Sequence, residues 1–242
     1  MLLAIDIGNS NIVIGGIQDD KIVFEARIAT DRIKTSDQYG VEIKNILSLF
    51  EVPVETVEDV IISSVVPPVF NAVRTGAYKV TGLNIQMDNP ASVGSDLIVA
   101  AVAALQEYTA PLMLIDMGTA TTITVVDQGN NYIGGAIIPG VRVSAEALSS
   151  RAAQLPGIQL DRPKRAIGKN TIECMRSGIM YGAAAMLDGM VERMEAELGK
   201  PVTVVATGGI AQFIVPLCKR EMTIEKDLLL KGLNVIYKKN KK

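Results

Sequence analysis

The chain has 242 residues, of which 48% are hydrophobic and 21% are charged, and its formal net charge is −2. This length and composition predict a globular protein with one large or two moderate domains. A nearly neutral charge argues against nucleic-acid binding, which favours a basic surface. The sequence has no histidine, which excludes Ser-His-Asp and Cys-His catalytic sites. Acid–base chemistry would then depend on carboxylates, with lysine or tyrosine as the less favoured alternatives.

No apolar segment reaches the roughly 20 uninterrupted residues that a transmembrane helix requires, so we expect no membrane association. The chain opens on a predicted strand and not on a charged and apolar leader. We therefore expect no signal peptide and a cytoplasmic location.

The first half of the chain alternates apolar runs with turn residues and amphipathic segments. Its predicted strands lie at 2–8, 11–17, 21–29, 60–66 and 83–87, and its predicted helices lie at 37–50, 69–80 and 95–108. The apolar face of the helix at 37–50 is predicted to consist of Val41, Ile43, Ile46, Leu47 and Phe50.

The second half continues the same alternation, which is typical of α/β layers. Its predicted strands lie at 112–117, 121–127 and 131–138, with a buried strand and a glycine turn at 202–209. Its predicted helices lie at 142–152, 171–198 and 226–238. We expect the last helix to pack back towards the first domain.

Two acidic turns, centred on Asp6 and Asp116, lie 110 positions apart and read as copies of one pattern. Each aspartate ends an apolar run and precedes a glycine, and each turn is followed by a strand, a hairpin turn and another strand. A repeat of this length predicts two similar half-molecules.

Each acidic turn combines an aspartate and a glycine with a hydroxyl or amide group. A carboxylate can hold hydrated Mg²⁺, and a glycine lets backbone N–H groups approach phosphate oxygens. A single D-x-G would favour an ordinary hairpin turn, but the repetition in register favours a nucleotide site.

Together with the motif at 206–209, the motifs at 6–10 and 116–122 resemble those of the superfamily that contains acetate and sugar kinases, Hsp70 and actin. The resemblance implies an α/β fold of two ribonuclease-H-like domains, duplicated halves of the β-β-β-α-β-α type, with ATP between them. It implies a first domain at 1–112 with the first phosphate loop and the acceptor loop. The second domain, at 113–242, would carry the second phosphate loop, the adenosine motif and the dimer interface.

Six further motifs, in order along the chain, make it similar to the type III pantothenate kinase family essentially from end to end. They lie at 30–37, 63–68, 88–96, 134–140, 155–156 and 167–171. This resemblance implies ATP-dependent phosphorylation of pantothenate to 4'-phosphopantothenate, the first step of coenzyme A biosynthesis, by a homodimer.

The resemblance also implies which residues contact ATP and its cations. The ATP-binding residues would be Asp6, Ile7, Gly8, Asn9, Ser10, Asn11, Ile12, Val13, Thr119, Gly208 and Gly209. Asp6 would position Mg²⁺ near the phosphates, and Asp116 would help to hold a monovalent cation, K⁺ or NH₄⁺.

On the acceptor side, the resemblance implies contacts with pantothenate from Met87, Gly94, Ser95, Asp96, Leu97 and Thr171. Asp96 would be the base that deprotonates the attacking hydroxyl group; without the family, it is an acid at a helix N-terminus, where the helix dipole favours it. Thr171 would reach pantothenate from the neighbouring subunit, and its alternative role is the N-cap of the helix at 171–198.

Three positions depart from the family pattern, all on the acceptor side. Leu97 replaces an arginine, Met87 a tyrosine and Ala100 an asparagine. Loss of an arginine fork is expected to weaken carboxylate recognition by roughly 2–5 kcal/mol. Three hypotheses stay open: a pantothenate kinase that tolerates the changes, a kinase for a more apolar hydroxyl compound, and a nucleotide-binding regulator without turnover. The retained Asp96 favours catalysis.

Overall fold

A computed structural model of the protein describes residues 1–31, 36–66, 84–85 and 94–240. The contacts divide the chain into two compact units. The first unit takes in the described residues of Met1–Leu83, Asn89–Gln106 and Asp227–Lys242, and the second takes in those of Asn84–Asp88 and Glu107–Lys226.

Strands and helices alternate along the described chain. The strands are β1 (Leu2–Ile7), β2 (Asn11–Gln18), β3 (Lys21–Ala29), β4 (Asp59–Ser64), β5 (Asn84–Ile85), β6 (Leu112–Met117), β7 (Ala120–Val126), β8 (Asn131–Pro139), β9 (Thr203–Thr207) and β10 (Thr223–Ile224). The helices are α1 (Ser36–Leu49), α2 (Ser95–Glu107), α3 (Val141–Arg151), α4 (Thr171–Leu198), α5 (Ala211–Ile214) and α6 (Leu228–Asn240). Within the described ranges, none of the helices combines the length and the apolarity needed to cross a membrane.

The first unit is built on a four-stranded sheet with the strand order β3-β2-β1-β4. β1, β2 and β3 form an antiparallel meander, and β4 lies parallel to β1. Asp19 and Asp20 connect β2 to β3 with φ angles of 49° and 67°. This left-handed conformation matches the twist of a hairpin with a two-residue turn.

Helix α1 packs on one face of this sheet through Ile46 and Leu47, which are buried. Phe50, just beyond the helix, stacks on Phe24 of β3 with ring centroids 4.8 Å apart. Val41 is 59% exposed, so its predicted place on the apolar face of α1 is wrong. Residues 43, 46, 47 and 50 recur at helical spacing, whereas residue 41 lies about 200° around the helix from residue 43.

The C-terminal helix α6 belongs to the first unit and contacts β1 and β4. A Cβ atom on Gly15 of β2 would lie 2.6 Å from Cδ1 of Leu230, and a Cβ atom on Gly232 would overlap the carbonyl oxygen of Val99 in α2. The two glycines therefore let α6 lie directly against the sheet and against α2. The expectation that the last helix packs back on the first domain is confirmed.

The second unit contains a six-stranded sheet with the strand order β10-β9-β6-β7-β8-β5. Its centre repeats the arrangement of the first sheet, because β6, β7 and β8 form an antiparallel meander and β9 lies parallel to β6. The predicted duplication of the strand pattern is confirmed.

One face of the second sheet packs against the long helix α4. From the sheet, Met113, Ile115 and Met117 of β6 are buried in this core, together with Met180, Ala184 and Leu187 of α4. These helix residues recur at intervals of four and three, which places them on one stripe of α4.

The ends of the predicted elements agree with the described structure to within two residues, and those of α4 agree fully. The predicted helix at 69–80 lies outside the described residues, and of the predicted strand at 83–87 the structure describes Asn84–Ile85. The sequence pattern does not reveal α5 and β10, because elements of four and two residues are too short to display a hydrophobic period.

Candidate active site

The first acidic turn connects β1 to β2 through Gly8, Asn9 and Ser10. Asp6 is only 6% exposed and is paired with Val13 of β2 and Ser63 of β4. The backbone N–H of Gly8 donates to the carbonyl oxygen of Asn11 at 2.9 Å, and a Cβ atom on Gly8 would lie only 3.0 Å from that oxygen. The turn is therefore tight at Gly8, while Asn9 and Ser10 are exposed.

Thr30, at the end of β3, supports this turn. Its hydroxyl group donates to the carbonyl oxygen of Gly8 at 2.6 Å, and its backbone N–H donates to the carbonyl oxygen of Ser10 at 2.9 Å. The sequence motif at 30–37 includes Thr30 but does not reveal this role, which depends on the hairpin that returns β3 to the turn.

The second acidic turn connects β6 to β7 through Gly118 and Thr119, which are both exposed. The N–H of Gly118 donates to the carbonyl oxygen of Ala120 at 3.0 Å. The N–H of Gly140 donates to the carbonyl oxygen of Thr119 at 3.1 Å. A Cβ atom on Gly140 would overlap the carbonyl oxygens of both turn residues. Glycine at 140 thus allows α3 to begin directly beside the turn.

Gly208 follows β9 and lies close to the end of β6. Its φ angle is +93°, a conformation that favours glycine. A Cβ atom here would lie 2.6 Å from the carbonyl oxygen of Met117 and 2.8 Å from Oδ1 of Asp116. The structure therefore brings the predicted site residues Gly208 and Asp116 together within the second unit, and Gly209 follows directly in the chain.

Asp96 is the second residue of α2 and is partly buried. Desolvation by burial raises the pKa of its carboxyl group, and the N–H of Leu97, which donates to Oδ1 at 2.9 Å, partly opposes that rise. A Cβ atom on Gly94 would overlap Oδ1 of Asp96, so glycine at 94 makes room for the carboxylate. The predicted position of Asp96 in the first turn of a helix is confirmed.

Of the other acceptor-side residues, Leu97 and Ala100 lie in α2. Leu97 is partly buried, and Ala100 is 5% exposed within α2. Met87 lies outside the described residues, and so does the side chain of Ser95. A polar side chain at position 100 would need a buried hydrogen-bond partner, which alanine does not.

Thr171 is the first residue of α4 and is exposed. Its alternative role as the N-cap is wrong, because Asn170 holds the extended cap conformation and its side chain accepts a hydrogen bond from the N–H of Glu173 at 2.9 Å. Glu173 in turn accepts from the N–H of Lys169 at 3.0 Å, and this hydrogen bond lowers the pKa of Glu173.

The turns fit phosphate groups and small cations in their chemistry. Their glycines bring backbone close to carboxylate and carbonyl oxygens, and Asp6 and Asp116 supply one carboxylate each. Among the described residues, no cluster of three or more His, Cys, Asp or Glu side chains could hold a metal ion.

The family model for type III pantothenate kinase matches residues 2–193 of the chain. A type III pantothenate kinase from Exiguobacterium sp. strain AT1b is 46% identical over 255 residues, covering 100% of both chains. A type III pantothenate kinase from Brevibacillus brevis is 45% identical, covering 99% of both.

Among solved structures, the chain is similar to the activator of the 2-hydroxyisocaproyl-CoA dehydratase from Clostridium difficile with bound ADPNP. The TM-score is 0.60 at 14% identity, over 98% of this chain and 95% of the other. A likeness at this identity concerns the fold alone. The predicted α/β fold is confirmed.

Proposed function

The chain belongs to the type III pantothenate kinase family, and we propose that it phosphorylates pantothenate with ATP in the first step of coenzyme A biosynthesis. The single observation that carries this proposal is the full-length identity of 46% to a type III pantothenate kinase. The duplicated acidic turns and the partly buried Asp96 give the proposal its chemistry.

We assign Asp96 as the base that takes the proton from the attacking hydroxyl group. Desolvation raises the pKa of Asp96, and a carboxyl group with a higher pKa is a stronger proton acceptor once ionised. The hydrogen bond from the N–H of Leu97 to Oδ1 restricts rotation of the carboxylate, which supports a fixed position for the acceptor of the proton.

We assign the two acidic turns to the nucleotide. ATP bound with Mg²⁺ supplies the phosphoryl group and neutralises charge during its transfer. Residues 6–13 and Thr119 would bind the phosphates through backbone N–H and hydroxyl groups, Asp6 would hold Mg²⁺ through the phosphates, and Asp116 would hold K⁺ or NH₄⁺. Gly208 and Gly209 would line the adenosine. The close backbone approaches at Gly8 and Gly208 support these roles.

We further propose that the sheets are the cores of two ribonuclease-H-like domains divided near residue 112, and that the enzyme is a homodimer. Thr171 of one subunit would reach the acceptor bound to the other. Its exposure and its freedom from a capping role support this assignment, because Asn170 is the cap. We propose a cytoplasmic location because ATP, the phosphoryl donor, is a cytoplasmic metabolite.

A coupled assay with ATP and pantothenate tests the proposed reaction. We expect turnover by the native protein and a loss of about 10²–10⁴-fold in kcat for Asp96→Asn, which removes the base. Asp19→Asn is the matched control, because this exposed turn residue has a left-handed φ angle that asparagine also tolerates. ATP binding without turnover by the native protein would contradict the proposal and favour a regulator.

The apolar side chains of Leu97 and Ala100 favour a second candidate, a kinase for a more apolar hydroxyl compound. Efficient phosphorylation of another alcohol alongside poor use of pantothenate would support that candidate. If the native protein prefers pantothenate, Leu97→Arg is expected to lower the KM for pantothenate, because it restores a cation for the carboxylate of the substrate.

A further inference from the structure

Four residues form a row across the second sheet at the level of Asp116. Ile137 of β8 is paired with Thr122 of β7, Thr122 with Asp116 of β6, and Asp116 with Thr207 of β9. Directly paired residues project from the same face of a sheet. Exposure along the row runs from 4% at Thr207 to 77% at Ile137, so this face passes from the protein interior to the surface.

The hydroxyl group of Thr122 stands out in this row. Its Oγ1 atom is buried and has no hydrogen-bond partner within the described part of the chain. A buried polar atom without a partner costs about 1–3 kcal/mol, and a bound water or ion is one explanation for such an atom in a native protein. Valine would have the same shape without that cost.

Asp116, the pairing partner of Thr122, and the residue that follows it supply further oxygen atoms. Asp116 is the direct partner of Thr122 on β6, and paired side chains in an antiparallel sheet have Cβ atoms about 4.5–5.5 Å apart. Oδ1 of Asp116 and the carbonyl oxygen of Met117 both border the place where Gly208 lacks a Cβ atom, at 2.8 and 2.6 Å from that point. A hydroxyl, a carboxylate and a carbonyl group thus occur on neighbouring residues, where the backbone of Gly208 approaches the end of β6 closely.

We propose that Thr122 is a ligand of a monovalent cation that Asp116 holds, with its Oγ1 atom donating a lone pair to the ion. This inference rests on the cation assigned to Asp116 in the proposed function. A threonine hydroxyl has two acceptor lone pairs, and oxygen atoms can replace the hydration shell of K⁺.

The charge of the site favours a singly charged ion. Asp116 contributes one negative charge, whereas the hydroxyl group of Thr122 and the carbonyl group of Met117 are neutral. Mg²⁺ dehydrates reluctantly and Ca²⁺ takes six to eight oxygen ligands, often with several carboxylates. One carboxylate with neutral oxygens therefore matches K⁺ or NH₄⁺ better than a divalent ion.

Binding of Tl⁺, a probe for K⁺ sites, measured by equilibrium dialysis of the full-length protein tests this inference without an activity assay. We expect saturable binding by the native protein and a dissociation constant raised about tenfold by Thr122→Val, which removes only the hydroxyl group. Thr124→Val is the matched control, because Thr124 is a buried threonine of the same strand paired with Leu114 instead of Asp116. This control is expected to leave Tl⁺ binding unchanged.

A second pair of variants protects the test against a folding defect. Thr122→Ser keeps the hydroxyl group and Thr122→Ala removes it, so Tl⁺ binding should persist in the first and weaken in the second while their circular dichroism spectra agree. K⁺ should raise the Tm of the serine variant more than that of the alanine variant, because a ligand stabilises the state that binds it.

Equal Tl⁺ affinity of the native protein and the Thr122→Val variant would overturn the inference. An absence of saturable Tl⁺ binding by the native protein would also overturn it, and this result is expected if a water alone occupies the site. Failure of the kinase assay with the Thr122-dependent binding intact would leave the cation site standing and reject the proposed reaction. Turnover of pantothenate without Thr122-dependent Tl⁺ binding would support the proposed reaction and reject the role of Thr122 as a cation ligand.

Discussion

The acidic turn of the first unit has three residues, Gly8–Ser10, whereas that of the second has two, Gly118 and Thr119. Both turns place an aspartate next to a parallel strand and begin with a glycine whose N–H donates across the turn. Their supports differ. A threonine side chain, that of Thr30, holds the first turn, whereas the backbone of Gly140 and the close approach of Gly208 hold the second.

The difference indicates that one turn is an exposed loop and that the other is held in place by close backbone packing. The longer turn exposes Asn9 and Ser10 and keeps Asp6 buried, which suits a loop that surrounds phosphate oxygens. The shorter turn is packed against glycines that admit no side chain, which suits a fixed position for Asp116. We therefore expect substitutions at the supports of the second turn to cause steric overlap, and those at the first to remove a hydrogen bond.

The largest effect is expected for Gly208→Ala. Its φ of +93° costs an alanine about 1–2 kcal/mol, and the overlap with Met117 and Asp116 adds about 1–3 kcal/mol. We expect the free energy of unfolding, measured by urea denaturation, to fall by about 3 kcal/mol. Gly157→Ala is the control, because a Cβ atom there would meet nothing within 4 Å. Equal stability of the two variants would mean that the second turn is not rigid.

A smaller effect is expected for Thr30→Val, which removes the hydrogen bond to the carbonyl oxygen of Gly8. We expect a loss of about 1 kcal/mol in the free energy of unfolding and a several-fold rise in the KM for ATP. Thr56→Val is the control, because the hydroxyl group of Thr56 also donates to a carbonyl group, that of Pro53 at 2.7 Å, at an exposed site. A rise in KM for both variants would show that Thr30 has no special role at the turn.

The smallest effect is expected for Asp96→Asn, a substitution in the first unit. Burial raises the folded-state pKa of Asp96 above the unfolded value, so its contribution to stability is present below the unfolded pKa and is lost as pH rises through the folded pKa. Asp96→Asn, which stays neutral, is therefore expected to raise the Tm near neutral pH. The gain should shrink as the pH falls towards about 4, the ordinary pKa of aspartate. A gain that does not change with pH would contradict this account.

Several features of the fold were predictable because they depend on local sequence. The long helix α4 was predicted at both ends, since Gly199 follows it with a left-handed φ of +68° and Asn170 and Thr171 both favour a helix start. Which of these two residues is the cap was not predictable. In the structure Asn170 takes the extended conformation of an N-cap, whereas sequence alone ranks the two residues almost equally.

The candidate site was predictable where a motif contained the chemistry, and not where the chemistry comes from strand pairing. Asp6, Asp96 and Asp116 stand out in the sequence because each carboxylate accompanies a glycine. Thr30 has no such signal, because its hydrogen bond to Gly8 spans 22 positions. Val41 is a residue whose sequence pattern misled, because an apolar residue close to the apolar stripe of a helix need not lie on that stripe.

The two copies of one acidic hairpin were predictable from short segments of the chain, because alternation of apolar residues and the D-x-G turn are local properties. What supports each copy, and which hydroxyl group is paired with Asp116, became visible in the folded chain. Those contacts join β7 to β6, β9 to β6 and the start of α3 to the second turn, and they depend on the register between strands and the distance between backbones.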